Sequence, residues 1–147
     1  MTQMAIAALD VGRRRIGVAI AEEAGSAAAY PIGALTRRSL AKDFEAIATL
    51  LRSRDVKRIV VGLPLNMDGS VGPQAHAVRD FARRLEAAIG LPVSLYDERL
   101  SSFEAEERLR ASSRKTRHRK IAIDAVAAAV ILEGWLQASR PSARGSE

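Results

Sequence analysis

The sequence contains no cysteine among its 147 residues and only two histidines, His76 and His118. The lack of cysteine excludes disulfide bonds, thiolate metal sites and a cysteine nucleophile, and it suits a reducing compartment such as the cytoplasm. His76 falls on a predicted helix and His118 in a basic loop, so neither is interpreted as a ligand. A metal site in this chain is therefore expected to use oxygen ligands.

Long apolar runs are also missing. A membrane-spanning helix needs ~20 consecutive apolar residues, whereas the richest apolar run, residues 121–132, is shorter and includes Asp124. The first ten residues have neither the basic region nor the cleavage-like site of a secretory signal. We expect a soluble, cytoplasmic protein without a membrane partner.

Length and composition indicate one globular domain. Hydrophobic residues make up 48% of the chain and charged residues 27%, which is close to the globular average and allows a buried core. We place this domain at residues 1–138. Residues 139–147 are small and polar and are predicted to form a flexible C-terminal tail.

The order of the hydrophobic patterns predicts a mixed five-stranded sheet. Two runs joined at Gly12 read as a hairpin, a third strand contains Pro31 and is expected at an edge, and the later strands alternate with helices. Ser39 and Gly90 mark the start of the first helix and the end of the second. Strands are predicted at residues 4–9, 16–20, 28–35, 56–62 and 93–96, and helices at residues 40–51, 78–89, from 101 onward and at about 119–137. This order fits a three-layer α/β domain.

Acidic residues occur at three places where their neighbours are apolar. Asp10 ends the first strand, the pair Asp97 and Glu98 ends the fifth, and Asp124 lies in an otherwise apolar helix. A carboxylate buried without a partner is costly or shifts its pKa. If the last helix packs against the carboxyl ends of the strands, these positions converge. Such an oxygen cluster suits Mg²⁺ or Mn²⁺, and two such ions can support phosphodiester hydrolysis.

Each of these acids also has a purely structural interpretation. Asp10 precedes a glycine turn and could accept hydrogen bonds from turn amides. One acid of the 97–98 pair could form an ion pair with Arg99. Asp124 follows Lys120 by four residues, the spacing of a helical salt bridge. The convergence of the three positions, rather than any one residue, favours a nuclease.

Positive charge is concentrated in one segment. The formal net charge is +6, and residues 108–120 (RLRASSRKTRHRK) contain seven basic residues and no acid. A basic patch is typical of proteins that bind nucleic acid, although a solvated loop can have the same composition. We predict sequence-independent phosphate contacts by Arg114, Lys115, Arg117 and Arg119.

Four motifs in series resemble those of a known family. They are ALDVGRRRIGVAIAE, VVGLPLNMDGS, LYDERLSSFEAE and KIAIDAVAAAVILEGWL. In order and spacing they are similar to the motifs of the YqgF family, the RuvX or Holliday-junction-resolvase-like proteins that are also described as pre-16S rRNA nucleases. The resemblance spans about residues 4–137. It implies a ribonuclease H-like fold and a divalent-metal-dependent phosphodiester hydrolase.

The resemblance also assigns roles to residues of this chain. Asp10, Glu98 and Asp124 match the family's acids and would be both the catalytic residues and the ligands of two Mg²⁺ or Mn²⁺ ions. Asp97 is the rival to Glu98 as the second ligand. Lys120 also fits the family's pattern.

Arg99 and Lys120 are expected to neutralise charge on the phosphate. One departure from the related resolvases concerns Gly62-Leu63-Pro64, which follows the fourth strand where those proteins place their second carboxylate. In this chain that acid must come from the fifth strand.

The leading functional interpretation is a nuclease that processes the 5′ end of pre-16S rRNA in ribosome biogenesis. The alternative is a Holliday junction resolvase acting on four-way DNA junctions, which would need a homodimer to make paired cuts. An ATPase or sugar-kinase relative would need a second domain, for which the chain is too short, and a non-catalytic binding module is a further class. RNA and DNA, Mg²⁺ and Mn²⁺, and monomer and dimer are all compatible with the sequence.

Overall fold

The computed structural model describes residues 5–22, 28–101, 107–108, 111 and 123–139. Its elements, in chain order, are β1 (Ala5–Val11), β2 (Arg15–Ala21), β3 (Tyr30–Thr36), α1 (Leu40–Arg52), β4 (Val56–Leu63), α2 (Pro73–Ile89), β5 (Val93–Asp97), a 3₁₀ turn (Glu98–Leu100) and α3 (Ile123–Ser139).

The strands form one mixed sheet in the order β3-β2-β1-β4-β5. β2 is antiparallel to both β1 and β3, whereas β4 is parallel to β1, and β5 is parallel to β4. The predicted mixed five-stranded sheet and the edge position of the strand with Pro31 are confirmed. The carboxyl ends of β1, β3, β4 and β5 and the amino end of β2 therefore lie along one side of the sheet, which we call the carboxyl edge.

Helices cover both faces of the sheet, as the three-layer prediction requires. On one face, Leu9 packs in a buried cluster with Ile47 of α1 and Leu85 of α2. On the other face, Ala8 and Ala19 pack in a second cluster with α3. Neighbouring residues of a strand point to opposite faces, so β1 contributes to both clusters. Full burial of a leucine or isoleucine side chain contributes ~1.5–3 kcal/mol, and these two clusters hold the layers together.

The predicted signals at the helix ends are confirmed. The Ser39 hydroxyl caps α1 by accepting a hydrogen bond from the backbone N–H of Lys42 at 3.2 Å. Pro73 begins α2, and Gly90 ends it in the left-handed conformation, with φ 81°. Both helices run from the carboxyl edge to the opposite side of the sheet, since each follows a strand that ends at the carboxyl edge.

α3 lies across β2, β1, β3 and β4 and is buried along most of its length. It continues to Ser139, two residues beyond its predicted end. Its predicted start near residue 119, most of the helix predicted from residue 101, and residues 140–147 of the predicted tail lie outside the described residues. None of the helices in the described ranges has the length and apolar character that crossing a membrane requires.

Candidate active site

Asp10 lies at the carboxyl edge, on the face of β1 that α3 covers. It pairs with Gly17 of β2, and the preceding Leu9 pairs with Val61 of β4. Burial raises the pKa of Asp10 to about 6, and the negative charge of Asp124 adds to the shift. Within the described residues, no hydrogen bond or ion pair compensates this carboxylate.

A glycine flanks Asp10 on each neighbouring strand. A Cβ on Gly17 would overlap the backbone carbonyl of Asp124, so the missing side chain lets the first turn of α3 approach β2. A Cβ on Gly62 would lie 2.6 Å from Oε2 of Glu98, so its absence leaves room for that carboxylate. Because they lack side chains, Gly17 leaves space for the backbone of Asp124 on one side of Asp10, and Gly62 leaves space for Glu98 on the other.

Glu98 begins the 3₁₀ turn after β5, and its side chain folds back over Gly62. Burial raises the pKa of Glu98 to about 7, with smaller contributions from the negative charges of Asp10 and then Asp97. A carboxyl group with this pKa is about half protonated at neutral pH. Asp10 and Glu98 therefore resist carrying two negative charges together, and a bound cation would relieve their repulsion.

Asp97, the neighbour of Glu98, is compensated. Its carboxylate accepts hydrogen bonds from Nη2 of Arg99 at 2.7 Å and from Nε at 3.1 Å, and the backbone N–H of Arg99 donates to it at 2.9 Å. These contacts lower the pKa of Asp97. Asp97 is thus the acid of the pair that binds Arg99, whereas Glu98 is electrostatically coupled to Asp10.

A cleft of about 200 Å³ opens beside Asp10 and Glu98. Its remaining lining residues are Ser101, Ala127, Val130 and Ile131. α3 supplies the apolar wall, which removes water from the two carboxyl groups and accounts for much of their raised pKa. A larger groove, of about 850 Å³, lies between β3 and α1 away from these acids, so size alone does not identify the site.

Asp124, in the first turn of α3, is close enough to Asp10 to raise its pKa, but its carboxylate points to Arg15. Arg15 Nε donates to Asp124 Oδ2 at 2.8 Å, and the two side chains are 56% and 26% exposed. Across the described ranges, no three histidine, cysteine, aspartate or glutamate side chains are grouped tightly enough to hold a metal ion. Asp10 and Glu98 share the cleft, and Asp124 would have to leave Arg15 to join them.

Comparisons with known proteins agree with this architecture. A family model described as “RuvX: Holliday junction resolvase” matches residues 4–138. The chain belongs to the RuvX family. A RuvX-family relative from Anaeromyxobacter sp. (strain K), named “Putative pre-16S rRNA nuclease”, is 54% identical over 133 residues, covering 90% of this chain and 96% of the relative. A protein of the same name from Synechococcus elongatus is 45% identical over 144 residues, covering 98% of this chain and 96% of the relative.

The RuvX fold is also seen in a solved structure of low sequence identity. T. thermophilus RuvC in complex with Holliday junction substrate superposes with a TM-score of 0.62 at 13% identity, covering 92% of this chain and 94% of RuvC. The predicted ribonuclease H-like α/β fold is confirmed by this likeness.

Three residues of the candidate site were not found by reasoning from the sequence. Gly17 and Gly62 interrupt buried strands, a position that indicates a bulge or the close approach of another group, and that signal could have identified both. Arg15 gave no comparable signal, because its contact with Asp124 joins residues 109 positions apart.

The 66–70 loop follows β4 at the carboxyl edge and is held by Arg99, whose Nη1 donates to the Met67 carbonyl at 3.1 Å. Gly69 has a φ of 89°, so this glycine makes the turn. The Asp68 carboxylate accepts from the Ser70 backbone N–H at 2.9 Å and from its hydroxyl at 2.6 Å. Arg99 is therefore engaged by Asp97 and Met67 rather than directed at the cleft.

Only part of the basic segment of this RuvX chain can be described. Nη2 of Arg108 donates to Oε1 of the buried Glu133 at 2.6 Å and so ties the start of the segment to α3. The predicted phosphate-binding residues Arg114, Lys115, Arg117, Arg119 and Lys120 lie outside the described residues, as does any contact between Lys120 and Asp124.

Proposed function

We propose that this chain is a divalent-metal-dependent nuclease that processes the 5′ end of pre-16S rRNA. The proposed chemistry rests on one observation: Asp10 and Glu98 line one cleft, their pKa values are raised to about 6 and about 7, and no described cation compensates them. The proposed substrate rests on the names of relatives that are 45% and 54% identical.

The donor atoms at the cleft fit a hard divalent cation. Asp10 and Glu98 offer only carboxylate oxygens, which Mg²⁺ and Mn²⁺ prefer. Asp124 would become a further ligand once Arg15 releases it. A bound cation, or a pair of them, would lower the pKa of water and stabilise negative charge on the phosphate.

The proposed ligands Asp10 and Glu98 would hold the cation, and they also bind and release a proton. Because burial raises the pKa of both Asp10 and Glu98, this pair retains a proton to a higher pH than isolated carboxyl groups do. To hold a cation, Asp10 and Glu98 would have to release this proton, since a ligating carboxyl group must be ionised. Arg99 holds the 66–70 loop beside the cleft, and we propose that Arg99 and Lys120 add positive charge near the phosphate.

A four-way DNA junction is the second candidate substrate. The description of the matching family model, Holliday junction resolvase, favours it. Resolution of a junction requires two coordinated cuts, so this alternative also requires a homodimer.

A cleavage assay tests the proposed function. Purified protein is offered a 5′-extended pre-16S rRNA fragment and a four-way DNA junction, each with Mg²⁺, with Mn²⁺ and with chelator. We expect metal-dependent cleavage of the RNA that Asp10→Asn abolishes and Asp55→Asn preserves. Asp55 is a matched control because it precedes β4 on the opposite side of the sheet and has a φ of 58°, which asparagine also adopts readily.

Cleavage of the four-way junction but not of the RNA would favour the Holliday junction resolvase over the pre-16S rRNA nuclease. Full activity of Asp10→Asn, or equal activity in chelator, would contradict the proposed chemistry.

A further inference from the structure

A cluster of arginines lies at the same edge of the sheet as the cleft but does not line the cleft. Arg13 and Arg14 form the turn between β1 and β2, Arg15 begins β2, and Arg37 and Arg38 connect β3 to α1. Both segments are at the carboxyl edge. Residues 12–15 and 37–38 together contribute five guanidinium groups and no carboxylate.

Backbone hydrogen bonds fix this cluster in place. The Gly12 N–H donates to the Arg15 carbonyl at 2.9 Å and closes the turn, and the Arg37 N–H donates to the Arg14 carbonyl at 2.9 Å. Nη1 of Arg37 donates to the Gly12 carbonyl at 2.8 Å. These bonds join the two segments into one surface, so their arginines are held by a preformed backbone.

Two of the five arginines have structural partners. Arg15 pairs with Asp124. Arg37 pairs with the buried Asp43 at 3.3 Å and lies 5.1 Å from the centre of the Phe81 ring. Their charges therefore hold α3 and α1 in position.

The other three arginines are exposed, and in the part of the chain that the structure describes their guanidinium groups form no ion pair with a carboxylate. We call them the arginine rim: Arg13, Arg14 and Arg38. The backbone N–H of Arg38, by contrast, donates to Oδ1 of Asp43 at 2.8 Å. Arg13 follows Asp10 by three residues, so their Cα atoms are at most ~11 Å apart. Three exposed positive charges along the carboxyl edge, of which Arg13 is this close to Asp10, form a surface for a polyanion.

We propose that the arginine rim binds the phosphodiester backbone of the strand on which the cleft acts. This proposal rests on the proposed nuclease function and adds contact residues that do not belong to the basic segment 108–120. Guanidinium groups suit this role because they bind phosphate oxygens through two parallel hydrogen bonds. Contacts with the backbone position a nucleic acid without reading its sequence.

The test is the salt dependence of binding by the full chain, measured in chelator so that no cleavage occurs. The rim variant is Arg13→Gln/Arg14→Gln/Arg38→Gln. The matched control, Arg52→Gln/Arg54→Gln/Lys57→Gln, removes three exposed charges on the opposite side of the sheet. The probes are a 5′-extended stem-loop RNA and a four-way DNA junction, which distinguish the two sources of backbone.

Loss of three phosphate contacts should lower the slope of log affinity against log salt by about 2 to 3. Since the electrostatic contribution to binding vanishes near ~1 M salt, this corresponds to about 100-fold weaker binding or more at ~0.1 M salt. The control should keep the wild-type slope. Loss on the RNA alone or on the junction alone identifies which backbone the rim binds.

Wild-type affinity and slope in the rim variant would overturn the proposal. So would an equal loss in rim and control variants, which would indicate a response to net charge only. If the wild type still cleaves RNA in a metal-dependent manner, either of these results would contradict the role of the arginine rim but not the proposed nuclease function. Failure of the rim proposal is thus distinguishable from failure of the proposed function.

Discussion

The charge of Asp10 should destabilise the metal-free protein, and Asp10→Asn should relieve that effect. Its pKa is raised from 3.8 to about 6, and each unit corresponds to ~1.4 kcal/mol. Because the folded state holds the proton more tightly than the unfolded state, the free energy of unfolding falls as pH rises through this window. The loss is complete above pH ~7 and amounts to about 3 kcal/mol.

Asparagine has nearly the same shape as aspartate and carries no charge. Burying its amide N–H groups has its own cost, but that cost is the same at every pH. The advantage of Asp10→Asn over the wild type should therefore be about 2 kcal/mol larger at pH ~8 than at pH ~4.5. Urea unfolding followed by circular dichroism, in chelator at both pH values, measures this difference.

Asp55→Asn is the matched control, because the Asp55 side chain is 66% exposed and its weak contact with Lys57 spans 3.8 Å. Its stability relative to the wild type gives the baseline that the pH-dependent difference of Asp10→Asn must exceed. If Asp10→Asn gives the same difference from the wild type at both pH values, the raised pKa of Asp10 is refuted, and with it the repulsion that favours a cation.

Three further predictions concern the same site. Gly17→Ala should push α3 away from β2, with a loss of about 1–3 kcal/mol in urea unfolding, and wild-type stability would refute the close approach. Mg²⁺ binding at pH ~6 should release protons from Asp10 and Glu98, and fewer protons at pH ~8. Calorimetry in two buffers of different ionisation enthalpy measures the number of protons released. No proton release at either pH would contradict the assignment of these two residues as ligands. Arg99→Gln should loosen the 66–70 loop, giving faster hydrogen exchange at the Gly69 amide, and an unchanged rate would show that Arg99 does not hold the loop.

Much of the fold could be predicted because its signals are local. The apolar run before Asp10, the glycine turn that follows it, and the Ser39 and Gly90 signals all specify elements within a few residues. Pro31 located the edge strand for an equally local reason, since proline cannot donate to a sheet ladder. Element ends were less well defined: α2 begins at Pro73 rather than at the predicted residue 78, and α3 ends at Ser139 rather than at residue 137.

The site was predictable only in part. Asp10, Glu98 and Asp124 could be selected because a carboxylate among apolar residues is costly unless it has a partner. The family resemblance favoured Glu98 over Asp97. The orientation of each carboxylate depends on packing between distant segments. The Asp124 carboxylate points to Arg15, and the side chain of Glu98 fits beside Gly62, which lies on β4. No local pattern contains that information.

Asp10 and Glu98, with Asp124, are proposed to bind a divalent cation at the carboxyl edge. The most direct test is the anomalous scattering of manganese in crystals grown with Mn²⁺. We expect manganese within coordination distance of the carboxylates of Asp10 and Glu98, with Asp124 turned away from Arg15 to join them. Manganese bound only elsewhere, with Asp10 and Glu98 left unliganded, would contradict it.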